Sequence, residues 1–484
     1  MALLYFIQRC RLSQSASHLI VTKKGVKVQA VQEGSLGSLD VPEARSATDA
    51  EVIYRLEDRP PLVETILAAI QHLLSIFVGI ITPTLVLSGP LGLDAETTTY
   101  LVGMSLFVSG VATFIQAKRF GPVGSGLLSI QGTSFAFLGP LIAAGTAVGG
   151  GTAALALIFG VCFVASPIEM ILSRFVHLAQ RILTPLVTGS VVTLIGLSLI
   201  RAGMTDIAGG AGAANFGSLL NVGLAAAVLL TVVILNRSSN QYLRMGSIVI
   251  GLIVGYTISL FLGLVDFSSL GSLPAFNVPI PFRYGFSFSW AAFIPVALLF
   301  LITTIESTGD LTATSMVSGE PIEGELYMKR IKGGILGDGL NSMIAAVFNT
   351  FPNTTFSQNN GVIQLTGVAS RYVGFFIAGF LVLLGLFPIV GGVLSAMPRP
   401  VLGGATIVMF GTVAAAGVKI IATEKIDSRA LMILALAFGL GLGVQAVPDV
   451  LSAMPPIVQS VFSSPITTGG LTALIANLVL PKSE

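Results

Sequence analysis

Pro352-Asn353-Thr354-Thr355-Phe356-Ser357-Gln358-Asn359-Asn360-Gly361, continuing through Val362-Ile363-Gln364-Leu365-Thr366-Gly367, is a polar, amide-bearing run set among segments apolar enough to live in lipid. A second interruption of the same kind is Gly124-Ser125-Gly126-Leu127-Leu128-Ser129-Ile130-Gln131-Gly132-Thr133-Ser134-Phe135. Broken backbone frees N–H and C=O groups that lipid cannot satisfy, so these groups must face protein, water or a ligand. Short helices starting at the breaks would aim their positive dipole ends at the same place. Amides at membrane depth either satisfy one another inside the bundle or touch cargo, and two matching interruptions favour cargo.

Composition sets the class. Of 484 residues, 53% are hydrophobic and only 10% charged, and a mean hydropathy of +0.90 leaves too little polar surface for a soluble fold. The expected fold is an all-α polytopic membrane protein. A net charge of +2 without a basic run gives no sign of a nucleic-acid partner. Cys10 and Cys162 are too few and too far apart for a disulfide framework or a metal site. The 55 glycines suit helices that approach closely in lipid. Walker-type phosphate loops, Gly-x-Ser-x-Gly elbows and His-Glu-x-x-His motifs do not occur, which argues against an ATP-driven pump or a membrane enzyme. No cofactor is expected.

Residues 1–60 lack a long apolar run and read as a cytoplasmic tail, with its basic residues after the apolar Met1–Ile7 rather than before it, so a cleaved signal is not expected. From Ile66 onward, apolar segments of membrane-spanning length recur. With weaker segments around Ser125–Ala144, Gly333–Asn349 and Thr355–Arg371, the count reaches about fourteen, an estimate from span length. Placing the amino terminus inside gathers Lys118, Arg119, Arg174, Lys329, Arg330, Lys332, Lys419 and Lys425 on the cytoplasmic side and leaves Arg201, Arg283 and Arg399 outside. Both termini are then cytoplasmic. Thr184-Pro185-Leu186-Val187-Thr188-Gly189 leading to Gly196 matches Arg399-Pro400-Val401-Leu402-Gly403-Gly404 leading to Gly411 at one offset. The interrupted segments are likewise the third of each set of seven, so the expectation is a 7+7 inverted-topology repeat with spans 3 and 10 broken by short extended segments.

Ionisable residues deep in spans are expensive and mark pathways. Glu306 and Asp310 are four apart and share a helix face with Thr303. Two carboxylates so placed do not both ionise easily, which suits proton coupling. Asp338, with Asn341 one turn on, either ties helices together or supports that chemistry. Gln71-His72 falls in the first span, and His72 is either structural or a pH-sensitive partner; His177 reads as a loop residue. With no lysine or arginine in the interrupted segments, a neutral, planar cargo rich in donors and acceptors fits better than a small inorganic anion.

Gln358 to Gly367 resembles the signature of the nucleobase-ascorbate transporters, the nucleobase:cation symporter-2 family. The resemblance extends from Ile53 to Leu480 through Gln71-His72, Gln131-Gly132-Thr133-Ser134-Phe135, Glu306 and Asp338, and Gln358-Asn359-Asn360-Gly361 is similar to the bacterial xanthine permeases. It implies a core of residues 61–180 and 289–398 that moves elevator-like against a gate of residues 181–288 and 399–484, homodimerisation through the gate, and a proton gradient as energy source. By matching position, Glu306 and Gln358 would bind the purine edge, with backbone near Phe135 and Asn359 holding the rest, Ser134 beside them and Phe135 stacking on the ring. Asp310 and Asp338 would support proton coupling; Gln71 and His72 would shape the site indirectly. Glutamine at 358 favours xanthine or urate, and Asn360 leans toward xanthine. The implied activity is proton-coupled uptake of xanthine across the inner membrane. A urate or broader purine carrier of the same family, and an anion exchanger or channel on the same fold, are the rival readings.

Overall fold

The computed structural model describes residues 52–179, 184–210, 212–267, 271 and 273–481. Most of the expected cytoplasmic tail lies outside the described residues. Helix α1 (Leu62–Ser88) and α2 (Ala95–Lys118) are joined by a turn in which the Asp94 side chain caps the Thr97 amide at 2.7 Å. Strand β1 (Gln131–Thr133) and a 3₁₀ turn at Phe135–Phe137 then lead into α3 (Leu138–Ala147), followed by α4 (Gly151–Ala165) and α5 (Pro167–Ala179). His177 falls in the last turns of α5, not in a loop, because the helix runs on past the apolar stretch.

Next come α6 (Pro185–Ile207), α7 (Leu219–Asn236), α8 (Gln241–Met245), α9 (Ser247–Phe261), α10 (Trp290–Val317) and α11 (Gly324–Val347). Strand β2 (Asn353–Thr355) and α12 (Gln358–Thr366) follow, then α13 (Arg371–Leu386), α14 (Pro388–Ser395), α15 (Arg399–Ile421), α16 (Ser428–Ala446), α17 (Pro456–Phe462) and α18 (Pro465–Val479). Eight of the described helical segments are long and apolar enough to cross a membrane, or nine if α13 and α14, bent by 73°, count as one. The other members of the fourteen-span reading are shorter or more polar: α9 and α18 have 15 residues each, and α12 has nine.

α6 and α15 form the tightest seam. A Cβ at Gly189 would sit 2.7 Å from the Gly417 carbonyl, and one at Gly196 would meet the Phe410 carbonyl at 2.6 Å. Backbone therefore lies on backbone, as small residues permit in lipid. The added Cβ of Gly189 meets Ile421, while that of Gly403 meets Ile207, so the helices run antiparallel with their glycines exchanged near the two ends. The sequence register pairs Gly189 with Gly404 instead, one residue away; Gly404 packs on Ala225 and Val228 of α7.

At the amino-terminal end of the described chain, a short strap is stitched to the segment after α12. Ile53 donates to the Gly367 carbonyl at 2.8 Å, Ala369 to Tyr54 at 2.9 Å and Arg371 to Leu56 at 3.0 Å. Gly367 adopts φ +68 to end α12, a left-handed cap that favours glycine. Leu56, 1% exposed, packs among Leu127, Val176, Leu311, Tyr327 and Ile335.

Candidate functional site

The two interruptions meet. Gln131, Gly132 and Thr133 pair antiparallel with Thr355, Thr354 and Asn353. The Ser134 amide donates to Pro352 at 2.8 Å and the Phe356 amide to Ile130 at 3.0 Å, extending the ladder at both ends. This satisfies backbone that lipid could not. Gly132 is required here: an added Cβ would lie 2.5 Å from the Phe356 ring, which also approaches the Gly79 position at 2.9 Å. Each strand leads within a few residues into a short helix, α3 or α12, whose amino terminus adds a partial positive charge beside the strand pair.

The acids converge on this crossing. Asp310 on α10 accepts from the Thr355 hydroxyl at 3.2 Å. On α11, Asp338 accepts from the Gln116 amide at 2.6 Å, with Ser307 and Gln131 close by. Gln116 also donates to the Gly334 carbonyl and accepts from the Ser125 amide, so it ties α2, α11 and the first interruption together. Asp338 is thus hydrogen-bonded from α11 to α2. Glu306, one turn before Asp310, has a buried Oε2 without a hydrogen-bond partner, as do Asp338 Oδ2 and both amide atoms of Gln131 and Asn353. Buried polar atoms are normally paired. Their concentration at one crossing marks it as a polar site embedded in an apolar bundle.

Gln358 opens α12, and its neighbour Asn359 donates to the Leu128 carbonyl across the crossing. Asn360 accepts from the Thr314 hydroxyl of α10 at 2.7 Å. His72 is fully buried and lies near Asn359, yet neither ring nitrogen reaches a partner in hydrogen-bond geometry. Gln71 is buried beside it on α1. Ser134 caps the 3₁₀ turn through the Ala136 amide at 3.4 Å. Phe135, 7% exposed, meets Phe410 of α15 edge-on with ring centroids 5.7 Å apart.

A cavity of about 610 Å³ opens next to the crossing, within the ordinary range of small-molecule sites. Asp310, Gln358, Asn360 and Gln364 line one wall, and Thr188 and Lys419 the facing helices. Glu306, Phe135, Ser134 and Asn359 do not line it; they lie at the crossing behind that wall. The sequence reading does not include Gln116, Thr113, which accepts from the backbone N–H of Gln131 at 3.0 Å, or Glu169 on α5, 1% exposed and with its Oε1 unpaired. Glu169 does carry a signal, since it is an acid in the otherwise apolar Pro167-Ile168-Glu169-Met170-Ile171. No group of three or more metal-ligating side chains occurs among the described residues.

Lipid-length helices surrounding two broken helices, whose extended parts cross beside a cavity, define a helical membrane permease, a transporter rather than an enzyme. A model described as a permease family matches residues 63–450, and the chain belongs to that family, the nucleobase-ascorbate transporters. The chain is 51% identical to xanthine permease XanP of Escherichia coli over 93% of its own length and 99% of the relative's. It is 46% identical to xanthine permease XanQ of the same organism, over 89% and 94%, and 34% identical to a xanthine permease of Bacillus subtilis, over 86% and 93%. Among solved structures, the transmembrane domain of a cyanobacterial bicarbonate transporter, BicA, matches with TM-score 0.53 at 15% identity, covering 88% of this chain and all of that one. SLC26A9 matches with TM-score 0.56 at 13% identity, covering 87% and 66%. These two likenesses concern the fold alone.

Proposed function

We propose that the chain takes up xanthine across the inner (plasma) membrane by proton symport. Glu306 and Gln358 hold the purine edge through hydrogen bonds, backbone near Phe135 and Asn359 holds the remainder with Ser134 beside it, and Phe135 stacks on the ring. Asp310 and Asp338 support the proton-handling chemistry, and Gln71 and His72 shape the site from α1. The core, residues 61–180 and 289–398, moves elevator-like against the gate, residues 181–288 and 399–484, and the gate joins two copies into a homodimer. Fourteen spans in a 7+7 inverted repeat put both termini in the cytoplasm. The exchanged glycine contacts of α6 and α15 support that repeat.

The observation that carries the reading is the convergence of Gln358 and Asp310 on one cavity, directly beside a strand pair made by the two broken segments. The Gln358 amide can match a neutral heterocycle that offers both donors and acceptors, and Asp310 beside it supplies an acid for proton handling. The xanthine permease names of the relatives at 51% and 46% identity support the choice of cargo.

The test is uptake of radiolabelled xanthine by cells lacking their own purine permeases, with and without a protonophore, and in the presence of excess urate, uracil or hypoxanthine. Protonophore-sensitive uptake competed by xanthine alone supports the proposal. Strong competition by urate moves the cargo to urate or a wider purine range. Absence of purine uptake by protein that reaches the membrane removes the nucleobase reading, and anion flux becomes the next measurement.

A further inference from the structure

Glu306, Asp310 and Asp338 all have a part in the proposed site, while the fourth buried acid at the crossing, Glu169, has none. It sits on α5, a helix that contributes nothing to the cavity wall. Its side chain is 1% exposed, and its Oε1 has no hydrogen-bond partner. Close helix contact fixes its position. Next to Asp338, Gly339 of α11 packs so tightly on α5 that an added Cβ would lie 2.9 Å from the Met170 amide nitrogen and 3.1 Å from the Ser166 carbonyl. Met170 follows Glu169 directly, so this backbone contact holds the two acids at the same level of adjacent helices.

The buried ionisable neighbours of Glu169 are of one sign, and Arg174, five residues on along α5, is exposed. Both α10, which carries Glu306, and α11, which carries Asp338, pack on α5. α4, the third helix packed on α5, carries no ionisable side chain except Cys162. The bases of α11, Lys329, Arg330 and Lys332, lie at least six residues toward its amino end, more than a turn and a half away. Two lone carboxylates in such a place repel strongly, whereas a carboxyl and a carboxylate can share one proton.

We propose that Glu169 accepts the proton that Asp338 releases, as a positioning residue that sets the charge on Asp338 and Glu306 without touching the purine. The O–H bond on Asp338 breaks and one on Glu169 forms; the negative charge moves the other way, and no further reactant enters. The proton then rests behind the site, away from the cavity, while Asp338 keeps its tie to Gln116. This inference rests on the proton-coupled reading above.

Glu169→Gln, which keeps shape and polarity but holds no exchangeable charge, separates the roles. Protonophore-sensitive accumulation of xanthine falls about ten-fold or more, and its dependence on external pH flattens. Exchange of labelled for unlabelled xanthine, which needs no net proton movement, stays within about two-fold in the same cells. Glu169→Asp restores part of the accumulation. Accumulation and a pH profile equal to the parent's in Glu169→Gln overturn the proposal. So does equal loss of accumulation and exchange in both variants at normal membrane levels, which assigns Glu169 to packing. The parent chain, measured alongside, tests the underlying reading: if its own uptake ignores the protonophore, proton coupling fails first and this inference with it.

Discussion

The seam between α6 and α15 and the crossing of β1 with β2 both bring distant segments into backbone contact, but they do so with opposite chemistry. At the seam, glycine lets carbonyls and amides approach, and the Thr193 and Ser190 hydroxyls are absorbed by carbonyls one turn back, at 2.7 and 2.6 Å. At the crossing, amides and carboxyls from β1, β2, α5, α10, α11 and α12 gather, and many keep unpaired atoms. An unpaired buried polar atom costs about 1–3 kcal/mol. The seam is therefore where the fold gains stability, and the crossing is where it gives stability up to hold polar groups inside an apolar bundle.

Substitutions at the two places should fail differently. The largest effect is expected for Gln358→Ala: loss of a hydrogen-bonding group on the cavity wall costs about 1–3 kcal/mol, roughly a ten- to hundred-fold weakening of purine binding, with normal amounts of protein in the membrane. Direct binding to purified protein checks it, and unchanged affinity would separate Gln358 from the site. Next is Gly132→Ala. Its new methyl group pushes on the Phe356 ring and costs about 1–3 kcal/mol of overpacking, so both transport per molecule and thermal stability drop. Gly196→Ala sharpens the contrast. It collides with Phe410 and Ala414 backbone and should lower the melting temperature and membrane level, while surviving molecules bind purine with unchanged affinity. A binding defect there would erase the distinction between the two regions.

The smallest effect is expected at the exposed Glu325–Lys329 pair at the start of α11. The Lys329 ammonium holds the Glu325 carboxyl below its usual range. A depressed carboxyl contributes stability above its unfolded value and loses it as pH falls through the folded one. Glu325→Gln should remove that contribution: the melting temperature falls only slightly near neutral pH, where the contribution is present, and is unchanged at acid pH, where the parent has already lost it.

Much of this was legible in the chain. Apolar length located α1, α2, α6, α7, α10, α15 and α16 because each carries its own signal. The interruptions were legible as polar runs, and they became β1 and β2. Their pairing was not, since three-residue strands announce no partner; only the fold brings Gln131 opposite Thr355. Glu306, Asp310 and Asp338 stood out as charge in apolar sequence, and all three reach the crossing. Gln116 and Thr113 did not, because an amide or hydroxyl near a helix end reads as ordinary until Asp338 and Gln131 are placed against it. Phe135 was read as a stacking platform from family position, and its present neighbour is Phe410, on the helix of the facing seam.

The strap from Ile53 to Leu56 gives the amino-terminal end a mechanical meaning. It is anchored at Gly367, the residue that closes the helix begun by Gln358, and is held further along by Glu57 paired with Arg371 at 2.6 Å. Tension applied to the chain at Val52 is thus delivered through hydrogen bonds to the far end of a nine-residue rod whose near end faces the cavity. The strap is a tether on the far end of that rod.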